Sequence, residues 1–166
     1  MSLFAVQNTA LDLNRAIEAV ASDEAGGLSV FIGRVRNHSD GKPVTLLEYQ
    51  AYESMAEKQM QKIAKKIQNE IPNTRLAALH RVGTLSIGDA AIICVAASPH
   101  RDEAFRACRL LIDRIKEDVP VWKREHGPDG PYWVGWHDAR CTGHHHESDN
   151  PSEHTHSHED PADRVD

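Results

Sequence analysis

The sequence predicts an α+β domain followed by an acidic, histidine-rich tail. Three observations carry this prediction. Three segments place apolar residues at helical spacing, the mark of amphipathic helices. The runs between them are rich in apolar and β-branched residues and mostly come in pairs joined by turn residues, which is hairpin order rather than the order of a doubly wound parallel sheet. After His137 the composition changes abruptly to GHHHESDNPSEHTHSHEDPADRVD, which has almost no apolar residues.

Residues 1–8 are mildly apolar and predict an edge strand. Asp12 is placed as an N-cap for a helix carrying Leu13, Ala16, Ile17 and Val20, and this helix ends near Gly26-Gly27. Leu28 to Arg36 reads as a strand, Asn37 to Lys42 as a polar turn, and Val44 to Tyr52 as the returning strand of a hairpin. Glu53 to Glu70 is a second helix, with Ala56, Met60, Ile63, Ala64 and Ile67 on one side and Lys58, Lys62, Lys65 and Lys66 on a solvated face. Arg75 to Val82 and Ala90 to Ala97 are strands joined by Gly83 to Asp89. The second of these is apolar throughout and is expected to be central. A third helix starts after Ser98, its expected N-cap, and bears Ala104, Ala107, Cys108, Leu111, Ile112 and Ile115 as a core-facing stripe. Pro120 disfavours helical geometry at Val119 and ends it. Val119 to Lys123 is then extended, a Gly/Pro turn follows, and Tyr132 to Trp136 is the last strand.

Composition narrows the function. Residues 138–166 contain eight acids and two arginines, which accounts for the whole formal charge of −6, so the first 137 residues are neutral. A neutral domain is a poor general nucleic-acid binder. There is no run of membrane-spanning length and no basic-plus-apolar leader, so a cytoplasmic protein without membrane contact is expected. Cys94, Cys108 and Cys141 show no paired spacing, and the first two sit in apolar settings, so neither a disulfide framework nor a zinc site is expected. Six of the 11 histidines lie in the tail. Its polar makeup predicts a mobile segment, 138–166, able to bind transition metals weakly and separate from the folded unit, 1–137.

The chemistry-bearing candidates in the folded part are cations: Arg34 and Arg36 at the end of one strand, His100-Arg101 at the start of the third helix, Lys116 in its last turn, and Lys123-Arg124 just beyond. Cations imply an anionic substrate, or negative charge that develops during reaction. A lysine crowded by other cations can supply a neutral amine. Each also has a simpler reading: exposed strand arginines, an ordinary helix start, a lysine complementing the helix dipole, a lysine stem packed on Trp122. The third helix spans over 20 Å at about 1.5 Å per residue. One intrachain pocket cannot easily use both of its ends, so either there are two sites or two copies meet start to finish. Two other classes fit the same residues: a non-catalytic module binding an anionic pterin or nucleotide, and a metal-handling protein working through the tail.

The segments GRVRNHSDG (33–41), LEYQAYESMAEK (47–58), HRVGTLSIGD (80–89), SPHRDEAF (98–105) and DRIKEDVPVWKRE (113–125) occur in order, and together the chain resembles the catalytic, large subunit of molybdopterin synthase. The resemblance implies an α/β-hammerhead-like domain with an additional antiparallel sheet. It implies a sulfurtransferase that converts cyclic pyranopterin monophosphate (precursor Z) to molybdopterin without a resident cofactor or metal. The sulfur comes from the C-terminal Gly-Gly thiocarboxylate of a small ubiquitin-like partner subunit, and the enzyme is a homodimer within a heterotetramer. By motif, Lys116 and Lys123 match catalytic lysines. Arg34, Val35, Arg36, His100, Arg101, Arg124 and Glu125 match substrate-binding positions.

Overall fold

A computed structural model of the chain describes residues 3–134. The elements run β1 (Leu3–Gln7), α1 (Leu13–Val20), β2 (Gly27–Arg34), β3 (His38–Ser39), β4 (Lys42–Pro43), β5 (Leu46–Ala51), α2 (Glu53–Glu70), β6 (Arg75–Arg81), β7 (Gly83–Ser86), β8 (Ala90–Ser98), α3 (Arg101–Asp118), β9 (Val121–Gly127) and β10 (Gly130–Val134). One sheet has the order β1-β6-β8-β2 and a second the order β10-β9-β5-β7, while β3 and β4 form a ribbon of their own. Only the β1–β6 pairing is parallel. The fold class is α+β with an additional antiparallel sheet, as expected. The tail call, 138–166, and the last two residues of the expected final strand lie outside the described residues.

The first sheet is covered on both faces. Leu76, Ala78, Ile92, Cys94 and Ala96 point toward α2 and α3, whose buried stripes include Met60, Ile63, Ile67, Leu111, Ile112 and Ile115. The alternate residues Ala77, Leu79, Ile93, Val95 and Ala97 point toward Ala16 and Val20 of α1. A strand covered on both faces needs apolar residues at every position, which is why the AAIICVAA run belongs to an inner strand. Each large side chain buried this way stabilises the fold by about 1.5–3 kcal/mol. Asp12 caps α1 as expected, its carboxylate accepting from the backbone N–H groups of Asn14 and Arg15.

Three local expectations are corrected. The strands predicted over 28–36 and 44–52 do not pair with each other. β2 pairs with β8, and β5 pairs with β7 and β9 in the second sheet. The register of β2 slips at Gly33/Arg34, and Val35 is then tied to the 88–89 turn by bonds to the Asp89 carbonyl (3.0 Å) and from the Gly88 N–H (2.9 Å). The chain between closes a separate two-stranded ribbon around Asp40 and Gly41, both at positive φ (47° and 76°), the backbone a tight hairpin turn needs. Ser98 does not cap α3. It is fully buried and its hydroxyl meets that of Thr74 at 2.7 Å, while His100 occupies the N-cap without a side-chain cap bond. The expected loop 83–89 contains β7, because Gly83 to Ser86 finds a partner edge in β5.

Candidate functional site

The direction of α3 decides which cations can meet. α3 turns back from β8 and runs alongside β2, and the two start together: a Cβ on Gly27 would lie 3.0 Å from the Arg101 Cα. Seven strand steps at about 3.3 Å and fifteen helix steps at about 1.5 Å each cover roughly 23 Å, so Arg34 and Lys116 end at the same level. His100 and Arg101 stay at the opposite end, exposed and without a side-chain partner among the described residues. Within one chain the structure therefore separates His100-Arg101 from Lys116, as helix length alone required.

At the Lys116 end the second sheet joins the first through β6–β7 and α3–β9. His80, at the end of β6, is 7 % exposed. Its Nδ1–H donates to the Arg81 carbonyl at 2.9 Å, which leaves Nε2 as the acceptor nitrogen. Burial, helped by the Lys116 charge and opposed by the bond to Arg81, pushes the imidazole down to about 4, so His80 is neutral at physiological pH. The ring of Tyr49 stands edge-on to His80 with centroids 5.1 Å apart, and Tyr49 is the direct cross-strand partner of Lys123. His80 and Tyr49 thus connect the surroundings of Lys116 to the strand position opposite Lys123. Lys116 also closes one end of a groove of about 330 Å³ between α3 and β2, floored by Val30, Phe31, Phe105, Cys108 and Ile112. No carboxylate lies within 4.0 Å of Lys116 among the described residues, and its side chain is exposed.

Lys123 is placed differently. Its Nζ is 3.0 Å from Oε1 of Glu125, two residues along β9 on the same face. Glu125 is 2 % exposed, and its other oxygen accepts from the Tyr132 hydroxyl at 2.7 Å. Burial works to raise the Glu125 carboxyl, but Tyr132, Lys123 and the Ser39 hydroxyl outweigh it and hold it below the usual carboxylate range. The ion pair is therefore present throughout the neutral pH range.

The remaining candidates divide. Arg36 is exposed and has no side-chain partner among the described residues. Arg34 donates from Nε to the Gly88 carbonyl at 2.7 Å, which steadies the strand end that presents Arg36. Val35 is 6 % exposed and packs with Leu47, Leu85 and Ala91, so its side chain acts as a peg between its two arginine neighbours rather than facing a ligand. Arg124 points to the other face of the second sheet from Lys123. There it is paired with Glu48 and lies over the Trp133 ring, 5.3 Å from its centroid, while His126 Nε2 reaches the same carboxylate at 2.7 Å. Bonds from His126 and then Arg124 hold the Glu48 carboxyl below its ordinary range. The structure thus brings Arg34, Arg36, Lys116, Lys123 and Glu125 to one end, and leaves Arg124 behind the sheet and His100-Arg101 at the far end.

Residue spacing did not point to His80, Tyr49, Ser39 or Tyr132. Three of these lie inside the segments that carry the family resemblance, but their roles depend on cross-strand register, and spacing along the chain does not reveal register.

A family model described as MoaE protein matches residues 6–118. A molybdopterin synthase catalytic subunit of Halalkalibacterium halodurans is 42% identical over 132 residues, covering 80% of this chain and 85% of the relative. The crystal structure of molybdopterin synthase from Staphylococcus aureus superposes with a TM-score of 0.78 at 38% identity, covering 81% of this chain and 98% of that one. A complex of subunits 1 and 2 of molybdopterin-converting factor from Helicobacter pylori, 22% identical, shares the fold with a TM-score of 0.64 over 78% of this chain and 88% of that one.

Proposed function

The chain belongs to the MoaE protein family and is a molybdopterin synthase catalytic subunit, an enzyme of molybdenum cofactor biosynthesis, and from this premise we propose how its residues carry the reaction. The substrate is cyclic pyranopterin monophosphate. The sulfur donor is the C-terminal thiocarboxylate of a small ubiquitin-like subunit, whose tail reaches the Lys116 end of the molecule. The sulfur attacks a side-chain carbon of the pterin and stays bound to the acyl group, while the carbon–oxygen bond at that carbon breaks and the oxygen leaves with the electron pair and takes up a proton. Water then adds to the acyl carbon, the acyl–sulfur bond breaks, and the partner leaves as a carboxylate while the sulfur remains on the pterin. A second partner supplies the second sulfur.

Both steps put negative charge on oxygen at the acyl centre or at the pterin carbon under attack. Preorganised cations stabilise such charge most where water is excluded. In this reading Lys116, on the open groove with no carboxylate at hand, contacts the acyl or substrate centre. Lys123, ion-paired with Glu125, supplies a fixed positive charge and a proton. Arg36 takes the substrate phosphate, with Arg34 and Val35 fixing the strand end. His100 and Arg101 bind the same anion from a second copy of the chain, giving a homodimer with one small subunit at each end. Arg124 supports the back of the sheet through Glu48. The setting proposed is the cytoplasm, and the free buried thiols of Cys94 and Cys108 suit a reducing compartment. Among the described residues no helix is long and apolar enough to cross a membrane.

The observation that supports the reading is that His80, which feels the charge of Lys116, stands edge-on to Tyr49, the cross-strand partner of Lys123. The experiment is reconstitution: the chain, a thiocarboxylated small subunit and precursor Z, assayed for molybdopterin. Two sulfurs transferred per product, and none with a carboxylate-terminated partner, is the expected result. Tight substrate binding without product would instead favour a binding module.

A further inference from the structure

The β3–β4 ribbon and the β9–β10 hairpin are joined at several points that the transfer chemistry above leaves unused. Pro43 packs against Gly127, where a Cβ would come within 2.8 Å of the Pro43 carbonyl oxygen. Thr45 donates from both its N–H (2.8 Å) and its hydroxyl (3.2 Å) to the His126 carbonyl. Lys42 holds its ammonium 5.6 Å from the centroid of the Tyr132 ring. Ser39, 5 % exposed, donates its hydroxyl to Glu125. Two of these residues, Ser39 and Tyr132, converge on one buried carboxylate, that of Glu125. Glu125 offers one oxygen to Lys123 and the other to Tyr132. Its hydrogen bond to Glu125, then burial, raise the Tyr132 hydroxyl above its ordinary range, so it remains a donor.

We propose that Ser39 and Tyr132 are positioning residues: they fix the orientation of the Glu125 carboxylate, and through it aim the Lys123 ammonium at the reacting centre. This rests on the placement of Lys123 in the site. A carboxylate held by Lys123 alone can rotate and take the ammonium with it. Donors from two other strands remove that freedom, and a charge-stabilising group displaced by even about 1 Å loses much of its effect. The ribbon is also the direct continuation of Arg34-Val35-Arg36, so one stretch of chain presents the phosphate ligand and, three residues on, restrains the lysine's partner.

The test uses the full chain with thiocarboxylated small subunit and saturating precursor Z, in single turnover. Tyr132→Phe is expected to slow transfer roughly tenfold with the half-saturating substrate concentration unchanged within about twofold. Ser39→Ala should slow it less, and Ser39→Thr should restore it. In a Lys123→Met background neither substitution should slow the reaction further, because a residue that acts only through Lys123 has nothing left to act on. A wild-type rate for Tyr132→Phe, or the same fractional loss in the Lys123→Met background, overturns the positioning role and leaves the assignment of Lys123 standing. A wild-type rate for Lys123→Met overturns both. Where Lys123→Met is too slow for a further loss to be measured, the Lys123 ammonium resonance decides. It should be sharp in the wild-type protein and exchange-broadened in Tyr132→Phe, and an unchanged signal overturns the proposal.

Discussion

Lys116 and Lys123 are the same residue type in opposite surroundings, and the difference sets what each substitution should do. Lys123 is bound to a buried carboxylate, whereas Lys116 stands at the mouth of an apolar groove with neutral His80 nearby. Replacing Lys116 by arginine keeps a positive charge but changes its shape and removes any amine chemistry, since a guanidinium stays protonated. Lys116→Arg should therefore fold, bind the small subunit and lose most single-turnover activity. A near-normal rate would mean that charge alone suffices there. His80 makes a pH prediction. Its folded value near 4 lies below the ordinary 6.5, so the unfolded chain binds a proton that the folded chain refuses between those two values. The native state therefore loses up to about 3 kcal/mol from this residue as pH falls from 6.5 through 4, and nothing above that window. Denaturant midpoints across pH 4–7 should fall more steeply for the wild type than for His80→Gln, whose amide can still donate to Arg81. Parallel curves would remove His80 from the acid response.

At the scale of elements, the α3 stripe and the apolar β8 run could be read directly from the sequence because each follows from periodicity and burial, and both are where they were expected. The pairing of β2 was not legible. A strand followed by a polar turn and another strand reads as a hairpin. What overrides that order is the demand of α3 for a floor, met by Ser29 to Phe31, together with the slip at Gly33/Arg34. The candidate cations were legible as residue types and as motifs. The Glu125–Tyr132 bond and the Tyr49–His80 contact were not, because both join strands whose register spacing does not fix. The start of α3 gives a prediction of its own. A Cβ on Gly26 would lie 2.7 Å from the Pro99 carbonyl oxygen, a backbone atom that cannot move without taking His100 and Arg101 along. Gly26→Ala should cost about 1–3 kcal/mol in stability and weaken substrate binding more than it slows saturated turnover. Thermal melts and substrate titration measure the two effects. An unchanged affinity alongside a lowered melting temperature would separate Arg101 from the phosphate.

At the scale of the whole molecule, the proposed transfer steps use only residues before 138, and no step is assigned to the acidic segment after them. Deleting residues 143–166 should leave transfer at the wild-type rate in the reconstituted assay, and loss of activity on deletion would favour a metal-handling role for its histidines. The larger claim is that the site is shared between copies. α3 holds His100-Arg101 and Lys116 about 23 Å apart along its axis, yet both sets of cations suit one phosphate-bearing substrate. In a two-fold dimer each site would take Lys116 from one copy and Arg101 from the other. The direct measurement is complementation. Lys116→Ala and Arg101→Ala are each prepared alone, both with little activity at limiting substrate, then mixed and allowed to exchange subunits. A shared site predicts that mixed dimers hold one intact site, restoring about a quarter of wild-type activity at statistical exchange. If exchange is demonstrated and the mixture remains as inactive as its parents, the two residues act within the same chain and the composite site is wrong.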